Sequence, residues 1–385
     1  MIYLGDIMEE LYKYLPGEFI DWNLIENGIF KPFIQRLINT NQEPKWHKEG
    51  NVYIHTKMVC EELIKLEEYK SLNKDEKLIC FLACLFHDVG KSVTTKDNLG
   101  EITSFHHGPV GAVMVREYLW KLGLCGKHLE LREGICLLVK YHSVPVHFDD
   151  STTKTIIRLS LNTRLTKYFN LKLLSIIAKA DVLGRISSEE SNHLDNIELF
   201  ILEAKSLACY DKEFKFSDSY TKYQYLNGDN IWYYEKLYNN HYGTVILMSG
   251  LPGTGKDTYI KKNYPNMEVI SLDDIRDELK ISPTDNQSIV YEEAKRRAVN
   301  LLRNKKEFIW NATNLSNLIR NKQLNLFHNY NASVKIIYLE TDLKTNLERN
   351  SNRKKIVPEN IIYKLLSNIN IVEASEAEEV WWEVV

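Results

Sequence analysis

The stretch TVILMSGLPGTGKDT, Thr244–Thr258, decides the fold of the C-terminal half of this chain. Its apolar opening, TVILMSG (244–250), reads as a buried strand, and Lys256–Lys262 reads as a helix. The turn between them is glycine-rich and of the P-loop type. Its glycines let backbone N–H groups face phosphate oxygens, and its lysine adds a point charge between the β- and γ-phosphates. The helix that follows directs its positive dipole end at the same anion. The expectation is a site for ATP or another nucleoside triphosphate, built by Gly250, Gly253, Thr254, Gly255, Lys256, Asp257 and Thr258.

Downstream, short apolar strands alternate with helices. Strands are expected at 267–272, 307–313 and 333–340, and helices at 291–303, 316–327, 343–349 and 358–370. Alternation of this kind predicts an α/β domain over 244–385, with a mostly parallel sheet covered on both faces. Upstream the texture differs. Apolar residues recur at helical spacing over 51–66, 75–87, 107–122, 129–141, 154–169, 171–183 and 193–207, which predicts an all-α domain over 1–205. The intervening 206–243 is rich in Tyr, Asp, Lys and Asn, and reads as a linker or a small packing module anchored by Trp232.

A length of 385 residues accommodates such a division, and a net charge of −3 gives no global field for a polyanion, which a local patch would have to hold. The six cysteines show no CxxC spacing and sit mostly in apolar runs, which points to a reduced, cytoplasmic protein. The N-terminus lacks the basic region of a signal peptide, and no apolar run reaches the roughly 20 residues of a membrane helix.

Three features refine the phosphate site. Asp257 stands where the pattern has a Ser or Thr for Mg²⁺, and the strand ending Trp310-Asn311-Ala312-Thr313-Asn314 lacks the acidic residue many P-loop proteins place there. The metal-site carboxylate is therefore expected to have moved to Asp257, the bland alternative being an acid favoured at a helix start. Asp273-Asp274-Ile275-Arg276 follows the second strand, in the crevice of an open α/β sheet. There Asp273 can deprotonate an attacking hydroxyl and Arg276 can grip a phosphate, unless the run is only an acid-decorated helix start. The basic run Arg349–Lys355 can supply arginines to transferring charge.

In this order, P-loop, DDxxR, TNL and RNxxR before a proline, residues 244–370 resemble the 5′-hydroxyl polynucleotide kinase family of phage RNA-repair enzymes. The resemblance implies phosphate contact by Lys256 and general-base action by Asp273. It also implies acceptor-phosphate binding by Arg276, lid roles for Arg349 and Arg353, and Mg²⁺ as cofactor. The family's Ser after the lysine and Asp before TNL are here Asp257 and Ala312, which bears on metal geometry more than on reaction class.

The helical half carries His55, His87-Asp88, His107, His142 and Asp181 in the order H…HD…H…H…D. Imidazoles with a bridging carboxylate suit one or two divalent transition-metal ions. A charged Asp88 closing the apolar run FLACLFHD needs a partner, and a metal is one. With HHGPVGA, VKYHS and AKADVLGR, residues 45–200 resemble the HD phosphohydrolase superfamily. The resemblance implies a first ion on His55, His87, Asp88 and Asp181, and a second on His107 and His142 with Asp88 bridging. His107 is preferred to His106 for its four-residue spacing to Gly111, and Lys91 is a candidate phosphate contact or an exposed lysine.

The two halves together resemble bifunctional HD-domain polynucleotide kinases. That implies healing of RNA ends: NTP-dependent phosphorylation of a 5′-hydroxyl and metal-dependent removal of a 2′,3′-cyclic or 3′ phosphate, with a separate RNA ligase acting next. The alternatives are nucleotide metabolism, an HD nucleotidase joined to a small-molecule kinase, and a signalling module whose HD half degrades a nucleotide.

Overall fold

The computed structural model describes residues 6–99, 101–149, 152–187, 192–228, 231–282, 285–353 and 355–385. These form two compact units. One holds the described residues through Leu124 together with His128–Phe214, and the other holds Cys125–Lys127 together with Lys215–Val385.

Five helices make the frame of the first unit: α1 (Val52–Leu63), α2 (Lys74–Phe86), α3 (His107–Lys121), α4 (Leu129–Tyr141) and α5 (Leu171–Leu183). Helix α2 starts at a capping box, in which Asn73 and Glu76 satisfy each other's backbone N–H groups. From Leu78 to Phe86 every side chain is fully buried. A helix apolar on all sides must be surrounded, and α2 packs against α1, α4 and α5. It thereby delivers His87 and Asp88, which follow it directly, to the centre of the unit.

Several elements were not expected. Residues 154–169 form a helix only over Thr153–Ser160, followed by a 3-10 turn at Leu161–Arg164, where Asn162 and Thr163 are poor helix formers. Short helices at Ile7–Tyr12, Trp22–Asn27 and Lys31–Ile38 precede α1, and a hairpin pairs Lys96–Asn98 with Glu101–Thr103.

The second unit is a five-stranded parallel sheet of β1 (Thr244–Ser249), β2 (Glu268–Ser271), β3 (Phe308–Asn311), β4 (Ser333–Glu340) and β5 (Glu379–Val384). Its strand order is β2-β3-β1-β4-β5. Between the strands lie α6 (Lys256–Asn263), α7 (Leu272–Glu278), α8 (Ser288–Arg303), α9 (Asn317–His328), α10 (Leu343–Ser351) and α11 (Glu359–Leu366). Both faces are buried: Ile246, Met248, Ile309, Ile337 and Leu339 pack with Ile260, while Phe308 and Trp310 meet Phe327 edge-on. Of the tyrosine-rich stretch, Ser219–Asn227 is helical, and Lys222 donates from it to the carbonyls of Ala374 and Glu378.

Behind β1 the Thr313-Asn314-Leu315 turn is a brace. Asn314 Nδ2 donates to Met248 O at 2.7 Å, and Gly250 N donates to Thr313 O at 2.9 Å. Arg320, fully buried, holds the turn through Asn314 O at 3.1 Å and clasps Glu376 at 2.7 and 2.8 Å. Removing one partner of a buried pair strands the other, so Arg320→Met is expected to destabilise the chain by about 3–5 kcal/mol. Urea unfolding measures that loss.

Candidate active sites

In the helical unit, close backbone contacts bring the histidines together. A Cβ on Gly90 would lie 2.0 Å from His107 O, and one on Gly108 would lie 2.7 Å from Lys140 O. Only glycine at both positions lets the start of α3 approach the residues after α2 on one side and the end of α4 on the other. His107 consequently stands 3.3 Å from Asp88 Oδ1 and 3.3 Å from His142 Nε2. The exposed His106, at φ 60°, is the residue preceding the helix.

On the other side, His55 Nε2 is 3.0 Å from Asp181 Oδ1 and 3.4 Å from His87 Nε2, and Asp88 Oδ2 is 3.3 Å from His87 Nε2. The six residues His55, His87, Asp88, His107, His142 and Asp181 thus meet in one place. His55, His87 and Asp88, and again Asp88, His107 and His142, bring their ligand atoms close enough to share an ion.

The donor set passes a chemical test for a metal centre. A histidine that ligates through Nε2 donates Nδ1–H to a carbonyl or carboxylate. His87 Nδ1 faces Cys84 O at 2.7 Å, His107 Nδ1 faces Ser104 O at 2.9 Å and His142 Nδ1 faces Val139 O at 2.8 Å. A carbonyl can only accept, so each ring, when neutral, presents an Nε2 lone pair to the centre.

The centre is anionic enough to draw positive charge: burial opposes charge on His87, yet Asp88 and Asp181 raise its pKa overall. Burial opposes charge on Asp88, but Lys91, His87 and His107 hold it well below the carboxylate range. Burial likewise opposes charge on Asp181, which Arg185 and the histidines hold well below that range. Burial depresses His142 to about 3, which keeps it neutral.

Four neighbours join this cluster. Lys91, buried, lies 2.7 Å from Asp88 Oδ2, and Arg185 lies 3.1 Å from Asp181 Oδ1. With His47 and Trp46 they line a cavity of about 290 Å³ that also touches Asp88, His107, His142 and Asp181. Arg185 follows Asp181 by one helical turn in the motif AKADVLGR, so its spacing could have marked it. His47 and Trp46 carry no periodic signal.

In the α/β unit, the turn after β1 has Gly253 and Gly255 at φ 85° and 90°, where side-chain-bearing residues are strained. Lys256 Nζ donates to the carbonyls of Gly250 and Leu251 at 3.0 and 2.9 Å, and burial lowers its pKa to about 8. Asp257 accepts from Asn311 Nδ2 at 2.7 Å, so the residue at the end of β3 braces the carboxylate at the start of α6.

Asp273 and Asp274 lie in the first turn of α7, which begins directly after β2; the acid-decorated helix start and the crevice position are the same place. Asp273 lies between two guanidiniums, Arg276 at 2.5 Å and Arg353 at 3.5 Å. Burial raises its pKa, and Arg276, with Arg353 and Lys256, outweighs that and lowers it.

Arg349 is on α10, with Nη1 3.3 Å from Thr254 O. Asn350 closes the basic segment by two hydrogen bonds with Val357, Nδ2 donating to its O at 2.7 Å and Oδ1 accepting from its N at 3.1 Å, and Lys355 pairs with Asp277. Lys354 lies outside the described residues. Gly253, Gly255, Lys256, Asp257, Thr258, Asp273, Arg276, Arg349 and Arg353 all line one cleft of about 2000 Å³, while Thr254 is buried beneath it and bonds Leu251 O.

Comparison with known families separates the two units in the same way. Residues 52–183 match the model of the HD domain, and residues 245–369 match that of the AAA domain. The chain carries an HD domain followed by an AAA domain.

Curated relatives include the multifunctional CCA protein of Psychromonas ingrahamii, 28% identical over 166 residues, or 42% of this chain and 37% of the relative. The protein of the same name from Mannheimia succiniciproducens is 26% identical over 172 residues, covering 44% and 39%. The chain therefore spans less than two fifths of the length of either relative. A solved structure of a Pnkp1/Rnl/Hen1 complex aligns with 19% identity over 32% of this chain and 43% of that one, at a TM-score of 0.28, too low to bear on either domain. No described helix is long and apolar enough to cross a membrane.

Proposed function

We propose that the chain heals broken RNA ends, the AAA domain phosphorylating a 5′-hydroxyl and the HD domain removing a 2′,3′-cyclic or 3′ phosphate. The observation that carries the reading is Asp273, a carboxylate kept ionised between Arg276 and Arg353 in the cleft that holds Lys256. A triphosphate cradle beside a base and an anion grip suits an acceptor that has both a hydroxyl and a phosphate, as the end of a polynucleotide has. The motif order P-loop, DDxxR, TNL and RNxxR supports the same acceptor.

In this reading Asp273 takes the proton of the 5′-hydroxyl as its oxygen bonds to the γ-phosphorus, and the bond from that phosphorus to the β–γ bridging oxygen breaks. Lys256, Arg349 and Arg353 neutralise charge on the transferred and leaving phosphates. Arg276 holds the acceptor's own phosphate, and Asp257 would contribute a carboxylate to Mg²⁺. Asp257→Asn is expected to raise the Mg²⁺ concentration needed for half-maximal phosphorylation by roughly tenfold or more, since a hard cation loses its charged ligand. An unchanged Mg²⁺ titration would sink that assignment.

In the HD domain, His55, His87, Asp88 and Asp181 would hold one divalent ion, and His107 and His142, with Asp88 bridging, a second. Such ions supply Lewis acidity to a phosphate and lower the pKa of water. Lys91 and Arg185 add positive charge to the cavity wall where a phosphate would sit, and Asp88 and Asp181, both ionised, balance the ions.

The test is one RNA bearing a 5′-hydroxyl and a 2′,3′-cyclic phosphate, incubated with ATP or GTP and divalent metal. Gain of labelled phosphate at one end and loss of the cyclic phosphate at the other are expected. Turnover of free nucleosides or nucleotides alone, with neither RNA end changed, would overturn the reading.

A further inference from the structure

One histidine of the cluster is held differently from the others. His87 and His142 are the residues that end α2 and α4, and His107 begins α3; from these positions each ring reaches the carbonyl three residues before it. His55 lies inside α1, and the carbonyl of Val52 three residues back already accepts from Thr56 Oγ1 at 2.8 Å. Its Nδ1 therefore depends on partners from outside the helix. They are Gly184 O at 3.2 Å and Glu49 Oε1 at 3.0 Å.

Glu49 is no incidental neighbour. Its side chain is 1% exposed. Oε1 also meets His47 Nδ1 at 2.8 Å, and Oε2 accepts from Ile186 N at 3.0 Å. Lys48 N donates to Ile186 O at 2.9 Å, so the segment before α1 and the segment after α5 are joined at two points around this carboxylate. Arg185, which grips Asp181, precedes Ile186 in that joined segment.

We propose that Glu49 is a positioning residue of the metal centre: its carboxylate fixes the His55 ring with Nδ1 protonated, so that the Nε2 lone pair faces Asp181 and Asp88. A carboxylate behind a ligating imidazole sets both its tautomer and its orientation. Without it the ring keeps only the longer Gly184 contact, which still accepts Nδ1–H but leaves the ring less firmly oriented toward the centre. The inference rests on the metal-centre reading of the HD domain and is independent of which phosphate ester is hydrolysed.

The experiment is a Co²⁺ titration of the metal-depleted full chain, followed by the visible absorption of the bound ion. Glu49→Leu is expected to raise the Co²⁺ dissociation constant roughly 10–100-fold, the range seen when such outer partners are removed. Hydrolysis of the cyclic phosphate should recover substantially at saturating metal. Glu49→Gln keeps one acceptor oxygen but turns an N–H toward Ile186 N, so its constant should fall between wild type and Glu49→Leu; it also serves if the leucine variant folds poorly. A merely structural Glu49 would lower the number of competent molecules and leave the dissociation constant unchanged, and that result overturns the inference. Failure of the wild-type protein to bind Co²⁺ would instead overturn the metal-centre reading, and the inference with it.

Discussion

Asp88→Asn is expected to abolish processing of the RNA 3′ end while leaving 5′ phosphorylation at its wild-type rate. The carboxylate is the one group common to both halves of the histidine cluster: Oδ1 faces His107, and Oδ2 faces His87 and Lys91. An amide keeps the shape but removes the charge, and its N–H₂ replaces one of the two oxygens, Oδ1 facing His107 and Oδ2 facing His87 and Lys91. Were Asp88 to hold both ions, its loss would remove the charge stabilisation they would supply, a term of several kcal/mol, or about three orders of magnitude or more in rate. The variant also removes the charge beside the ammonium of Lys91, whose other partner among the described residues is Gln42 Oε1 at 2.8 Å. Some loss of stability in the HD domain should follow. Kinase activity of the same preparation separates these effects, because the AAA domain has its own core. Gel analysis of doubly end-labelled RNA, with metal content measured in parallel, checks the outcome. Unimpaired 3′ processing would overturn the role of Asp88.

Which parts of this arrangement the sequence discloses depends on how each residue reaches the site. The run FLACLFHD is legible because a fully buried helix needs uninterrupted apolar residues, and a charge at its end then stands out. Strands β1 and β4 are legible for the same reason, being buried on both faces. Strand β5, EVWWEV, is not: it is an edge strand, acid-flanked and half-exposed, with no clean alternation. Helix α7 is legible only as an alternative, an acid-decorated helix start, because it begins at the residue after β2 and no turn signals the change of period.

The metal candidates are legible as an order of residue types, but their supports are not. Glu49 acts on His55 through a contact across the first turn of α1 and on Ile186 across 137 residues, and neither leaves a periodic mark. Gly90 and Gly108 bring α3 against its neighbours by lacking a side chain, which a sequence shows only as a glycine. Local pattern records what an element needs to fold; it does not record which distant backbone it must touch.

Asp273→Ala should have the converse effect, stopping 5′ phosphorylation and sparing the 3′ end. Loss of a general base costs typically about 10²–10⁴-fold in rate. Here a second consequence runs in the same direction. Arg276 Nη1 and Arg353 Nη2 both converge on this carboxylate, and Arg276 Nε is held by Gln287 Oε1 at 2.8 Å. Without Asp273 the two guanidiniums face each other with no anion between them, and Arg353 loses its contact with α7, leaving the Lys355–Asp277 pair to hold the basic segment there. Binding of the triphosphate should survive, because Lys256 and the glycine turn are untouched. A nearly unchanged KM for ATP with a collapsed kcat is thus the expected signature. Asp273→Asn distinguishes base from tether: the amide can still accept from Arg276 but cannot take a proton. If Asp273→Asn phosphorylates RNA at the wild-type rate, Asp273 is a tether for the arginines and the base lies elsewhere in the cleft. If it fails as Asp273→Ala does, proton removal is the step that this carboxylate performs.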